Sequence, residues 1–371
     1  MRIAIVSPSR NAYSETFIRA HIERLEGEKL LLIDGHLPAR TGDDRPLLSE
    51  DLTQRALRKL NGTSPEEALR RAVAKALVAH RTQVLLAEFG PTGEALLGTV
   101  RSLRIPMVVH FHGVDAFHND LLAKHGHYAR LRDAGVHLVA VSREMEHQLL
   151  HLGAARDRVH YHCYGIDVER FVPGDPASAP PRFVAVGRFV EKKAPQLTLL
   201  AFERALREVP AAELVMLGDG PLLGPVRAMA RALGIGDRVH FEGVAGPGRV
   251  AEVMRNARAF VQHSIVSDAN DHEGTPLAVL EAMACALPVI ATRHGGIPDV
   301  AIHGTTALLC AEYDVAAMAH HMVQLARDPD RAAALGKAGR QRALQHHRVQ
   351  DSIAALQGIL AKAVADGPPR S

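Results

Sequence analysis

The chain has 371 residues, 47% hydrophobic and 23% charged, enough for two packed cores and unlike a disordered or fibrous polypeptide. Its net charge of +3 is too small to argue for a nucleic-acid partner, so none is expected. No run of 18 uncharged apolar residues offers a transmembrane helix, and the opening MRIAIVSPS enters a strand without a signal-peptide core.

Apolar runs alternate with amphipathic segments along the chain, the pattern of α/β units with mainly parallel sheets. Strands are expected near 2–6, 29–33, 83–87, 107–110, 136–141 and 158–162. Residues 55–81 hold seven Arg/Lys against two acids, with Leu69, Ala72, Val73, Ala76 and Leu77 forming a helical stripe. A solvated surface helix explains this best; the alternative is peripheral association with an anionic membrane or a diphosphate-linked acceptor. The Pro-rich PGDPASAPP (173–181) reads as an interdomain linker. A second series of strands is expected near 182–186, 213–217, 238–241, 258–261, 288–291 and 306–309, followed by an Ala-rich helical stretch, 315–365. The 22 histidines show no zinc-site spacing, and pairs such as His110/His112 are attributed to composition. The odd cysteines Cys163, Cys285 and Cys310 fit a reducing cytoplasm without disulfides.

The most informative stretch is HEGTPLAVLEAMACALPVIAT (272–292). Glu273 and Glu281 lie eight positions apart, with Gly274, Thr275, Pro276 and Leu277 between them. Thr275 is expected as N-cap and Pro276 as the first helical residue, so a helix begins between the acids. Its free N–H groups and dipole favour an anion, while the carboxylates favour hydroxyls. That combination fits a nucleotide sugar.

E-G-x-P-x4-E, with Ala286–Thr292 and Gly295-Gly296-Ile297-Pro298-Asp299-Val300, resembles the retaining glycosyltransferases of family 4. Upstream, AVGRFVEKKAPQLTLLAF (185–202) matches that family's G-R-x4-K clamp, and LVMLGDGPL (214–222) and HFEGVA (240–245) match the next strand ends. VSREMEHQLLHLGAARDRVHYHCYGIDVERF (141–171) matches the end of the first domain. SETFIRAHI (14–22) and HFHGVDA (110–116) are similar to a subgroup associated with exopolysaccharide assembly.

The resemblance implies a GT-B fold: two Rossmann-like domains facing across a cleft, 1–172 for the acceptor and 173–349 for the donor, with 350–371 crossing back. It implies hexosyl transfer with retention from a nucleotide diphosphate sugar to a sugar or lipid-linked hydroxyl, in the cytoplasm or at the inner membrane face. Neither metal nor another cofactor is implied. Arg188 and Lys193 would neutralise the leaving diphosphate, Glu273 would hold sugar hydroxyls, Glu281 the ribose, and His112 would contact the sugar near the anomeric carbon. Gly187, Gly218, Gly220, Gly243, Val244, Gly274, Thr275, Pro276 and Leu277 would complete the donor site. Ser14, Thr16, Gly113 and Asp115 would join His112 on the acceptor side. Ser14 and Thr16 stand where relatives carry a Gly-Gly phosphate loop, and Ala194 stands where glycine is usual.

One feature points to another class. Gly218, Gly220 and Gly224, with Glu242 ending the next strand, approximate a dinucleotide fingerprint and would suit an NAD-dependent oxidoreductase. The spacing is one residue too long, and the loop follows the domain's second strand. A GT-B sugar epimerase or phosphorylase is the nearer alternative.

Overall fold

The computed structural model describes residues 1–9, 15–48 and 60–370. It divides into two compact units, Met1–Cys163 with Ser352–Ser371, and Tyr164–Asp351.

The first unit contains β1 (Arg2–Ser7), β2 (Glu28–Ile33), β3 (Arg40–Thr41), β4 (Val84–Glu88), β5 (Met107–His110), β6 (His137–Ala140) and β7 (Val159–Tyr161). Their order is β3-β2-β1-β4-β5-β6-β7, with every described pairing parallel except β2 with β3. The two-residue β3 had no periodic signal in the sequence. Val84–Glu88 and Met107–His110 are buried at every residue, because helices cover both faces of a parallel sheet. Strand order reverses between β1 and β4, so their carboxyl ends flank the crevice where open sheets place ligands.

The second unit has β8 (Arg182–Val186), β9 (Glu213–Leu217), β10 (Val239–Gly243), β11 (Ala259–Gln262), β12 (Val289–Thr292) and β13 (Ala307–Cys310). The order is β10-β9-β8-β11-β12-β13, reversing between β8 and β11. A core cluster including Phe183, Phe202, Leu214, Val261, Ile290 and Met322 fills one side of this sheet.

The chain passes between units at Cys163/Tyr164 and Asp351/Ser352. PGDPASAPP is therefore not the boundary; it lies inside the second unit. There the Gly174 N–H donates to the Cys285 carbonyl (2.8 Å), and a Cβ on Gly174 would stand 2.4 Å from the Arg255 carbonyl oxygen. Proline stops regular structure equally well in a packed loop. From Ser352 onward the last helix, Val349–Asp366, belongs to the first unit. Gln357 accepts from the Glu26 N–H (3.1 Å), and Asp366 pairs with Arg158 (2.8 Å).

Candidate active site

In the second unit the loops after β8, β9 and β10 are laced together. Gly187 donates its N–H to Leu217, Phe189 to Asp219, and Gly218 to Gly243 (2.7–3.0 Å). Gly218 has φ +133°, and a Cβ there would lie 1.9 Å from the Gly187 carbonyl oxygen; at Gly220 it would meet that of Phe189 at 2.6 Å. Glycine is needed at both positions so that the β9 loop can rest on the β8 loop. Gly187, Arg188 and Lys193 line a cleft floored by Leu217, Val261 and Gln262.

Lys193 closes a short 3₁₀ turn, Glu191–Lys193, and Ala194 follows with φ +36°. That backbone explains why glycine is the easier residue at 194. The Lys193 ammonium lies 2.8 Å from Glu273. Glu273 is buried, and burial alone would raise its pKa. The nearby Lys193 and Lys192 outweigh that and hold it below its ordinary value, so the group is a carboxylate.

Contacts from residues distant in sequence fix this acid. The buried Lys192 donates to Asp271 (2.9 Å) and to the His272 carbonyl (3.0 Å), pinning the loop before it. The Glu273 N–H donates to His294 Nε2 (3.0 Å), while His294 Nδ1 lies 2.7 Å from a Glu312 oxygen. Since Nε2 accepts, Nδ1 carries the proton. Gly295, with φ +53°, passes so close that a Cβ would sit 2.3 Å from the Glu273 carbonyl oxygen. The Gly-Gly-Ile-Pro segment is thus part of the cradle of Glu273.

The helix after Glu273 runs Leu277–Ala284, with Pro276 as its N-cap and no side-chain cap. The expected Thr275 cap is not formed, because Thr275 Oγ1 accepts from the Tyr164 N–H (3.3 Å). Pro276 has no N–H, so the donors at this helix end begin at Leu277. Gly274, Thr275 and Pro276 are all buried. Glu281 is half-buried on the second turn; burial raises its pKa to about 7, against smaller opposing effects of Lys193 and Arg170. Arg188 is exposed, and among the described residues none holds its guanidinium. Gly243 has φ +73° and Val244 is 53% exposed.

The dinucleotide reading gains nothing from this geometry. A Cβ on Gly224 would meet nothing within 4 Å, whereas a fingerprint's third glycine permits close helix–strand packing. Glu242, the acid that reading needs for a ribose, is bound by Arg249 (2.7 Å).

In the first unit a cluster forms at the carboxyl ends of β4 and β5. Glu88, the last residue of β4, is fully buried and has His21 Nδ1 and His112 Nε2 each 2.8 Å from its oxygens. Burial would raise its pKa, but the two imidazoles prevail and take it down to about 2. The His112 ring packs against Phe17 (4.6 Å) and Phe89 (4.5 Å). Phe89 has φ +75°, a strained position for a bulky residue. Asp115 is 1% exposed and accepts from the His112 and Gly90 N–H groups (2.8 Å each), so its two oxygens brace this loop. Gly113 is buried with φ +115°; Thr16 is exposed at the start of the helix Thr16–Arg24, and Ser14 lies outside the described residues. His21, Glu88 and His110 offer ligand atoms within 4.8 Å of one another, a set that could hold a divalent ion. His110 and His112 are thus more than surface composition. No local pattern links Glu88 with His21, which are 67 residues apart.

The basic helix Pro65–Ala79 starts at Ser64, whose Oγ accepts from the Glu67 N–H (3.1 Å). Arg70 and Arg71 pair with Glu66 and Glu67 one turn earlier, as on an ordinary solvated face. Arg55, Arg58 and Lys59 lie outside the described residues.

Both units are thus doubly wound α/β folds, and the second gathers cations and carboxylates at one sheet edge. The Glycosyl transferases group 1 family model matches residues 169–342, and that of Glycosyltransferase Family 4 matches residues 41–170. The chain belongs to these family 4 glycosyltransferases, with the GT-B fold. It is 28% identical over 250 residues to the amylovoran biosynthesis glycosyltransferase AmsK of Erwinia amylovora (66% of this chain, 61% of that one). It is 32% identical over 208 residues to the GDP-mannose-dependent alpha-(1-6)-phosphatidylinositol monomannoside mannosyltransferase of Mycolicibacterium smegmatis (53% of this chain, 54% of that one). The chain thus spans less than two thirds of the length of either relative. The crystal structure of Anabaena Alr3699/HepE in complex with UDP and glucose superposes with a TM-score of 0.78, covering 97% of this chain and 99% of that chain at 15% identity.

Proposed function

We propose that the chain transfers a hexosyl group, with retention, from a nucleoside diphosphate sugar to a hydroxyl of a growing polysaccharide or lipid-linked acceptor. The observation that carries this reading is the Lys193–Glu273 ion pair (2.8 Å) in a cleft shared with Arg188, which has no partner among the described residues. Anion-binding cations and a hydroxyl-accepting carboxylate thereby share one sheet edge.

Arg188 and Lys193 stabilise the charge that grows on the leaving diphosphate, joined by N–H donors at the start of Leu277–Ala284. Glu273 accepts from donor-sugar hydroxyls and Glu281 from the ribose. His112 contacts the sugar, and Gly113 leaves room for it. The positive groups and helix end supply the charge a metal would otherwise bring, so EDTA leaves turnover intact. The alternative reading of the basic 55–81 stretch, contact with an anionic membrane, would give access to a lipid-linked acceptor.

Incubation with UDP-glucose and with GDP-mannose, following nucleoside diphosphate release and product anomeric configuration by NMR, tests this. Turnover of a sugar nucleotide with retention supports the reading. Absence of binding to either diphosphate or either sugar nucleotide overturns it.

A further inference from the structure

We propose that Glu88, together with His21, is a positioning residue that fixes the His112 ring in one tautomer for its work on the donor sugar. This rests on the reading that His112 contacts the sugar.

Glu88 is 0% exposed, and its oxygens face His112 Nε2 and His21 Nδ1 at 2.8 Å each. A carboxylate only accepts, so both nitrogens must carry protons. His112 is then held with a proton on Nε2. The ring cannot swing away, because Phe17 and Phe89 pack on it and Asp115 holds its backbone N–H. Phe89, directly after Glu88, keeps φ +75°, as expected where neighbouring contacts over-determine a strained backbone. A buried carboxylate orienting an imidazole is a recurrent way to set which nitrogen faces a ligand.

The experiment uses the full chain, with histidine side-chain ¹⁵N–¹H spectra at one neutral pH and donor turnover on UDP-glucose and GDP-mannose. Glutamine at 88 offers one acceptor and one donor, and leucine offers neither. In Glu88→Leu the His112 Nε2–H state should give way to mixed tautomers. If that variant does not fold, Glu88→Gln should still force one of the two rings to switch. The kcat of Glu88→Gln should fall by about 10²-fold, with donor KM changed far less, as for a misplaced reacting group. An unchanged His112 tautomer in Glu88→Leu, unchanged tautomers of both rings in Glu88→Gln, or a lost His112 tautomer with wild-type kcat overturns the proposal. So does one zinc per chain in the wild type that disappears in Glu88→Gln, since Glu88 would then be a metal ligand. If the wild type turns over neither donor, the reading of His112 fails, while the tautomer still decides whether Glu88 positions the ring.

Discussion

Lys193 and Glu273, eighty residues apart in sequence, form one ion pair of 2.8 Å in a pocket that leaves their side chains 16% and 11% exposed. The cation proposed for the diphosphate and the acid proposed for the sugar are thus coupled. Replacing either one changes the field felt by the other.

This coupling separates Lys193 from Arg188. Lys193→Ala strands a largely buried carboxylate and should destabilise the fold by about 3 kcal/mol. Arg188→Ala removes an exposed side chain with no described partner and should stay within about 0.5 kcal/mol of wild type. Both should lower kcat by roughly 10²–10³-fold, as for lost donors to a developing anion. Urea unfolding with steady-state kinetics on the two variants checks both statements.

Glu281 gives a pH dependence with a definite sign. Its pKa in the fold is about 7, above the ordinary 4.5, so the folded state holds the proton more tightly than the unfolded state. Its contribution to stability therefore declines as pH rises from 4.5 to about 7. A ribose donating to the carboxylate favours the ionised form, so nucleoside diphosphate affinity should fall as pH drops below about 7, with proton release on binding. Calorimetry in buffers of different ionisation enthalpy should show that release in the wild type and not in Glu281→Gln.

Gly295→Ala probes the cradle. The added methyl meets the Glu273 carbonyl oxygen at 2.3 Å, and φ +53° adds strain of about 1 kcal/mol. Glu273 must shift, so sugar transfer should fall steeply while UDP and GDP binding stay near wild type. Loss of both together would place Gly295 in the nucleotide site instead.

Parallel strands and the Glu273–Glu281 segment were legible because their signals are local: apolar runs of four to six residues, turn glycines, and a helix start. The supports of Glu273 were not. Lys192 reaches His272 across 80 residues, His294 reaches Glu273 across 21 and Glu312 reaches His294 across 18, through hydrogen bonds that no local period encodes. The same holds for Glu88, which reads as the end of a buried strand until His21 and His112 fold onto it. Thr275 shows the opposite failure, a sound local cap signal overridden by the Tyr164 N–H.

Acid should loosen the first unit. Burial lowers the His162 pKa to about 4 from 6.5, so the unfolded chain binds a proton there before the folded one does. Stability should fall as pH drops from 6.5 toward 4, and His162→Gln should flatten that slope. Urea midpoints across this range, followed by amide exchange in β5 and β6, check the effect.

The division of labour between the two acids is tested most directly by calorimetry of UDP and GDP binding to the wild type, Glu273→Gln and Glu281→Ala. A free diphosphate has no donor sugar for Glu273 to hold, and removing that charge releases Lys193. Glu273→Gln should therefore bind the preferred diphosphate as tightly as wild type or more tightly, while losing sugar transfer. Glu281→Ala should bind it more weakly. Abolished diphosphate binding in Glu273→Gln, or unchanged binding in Glu281→Ala, would contradict the account.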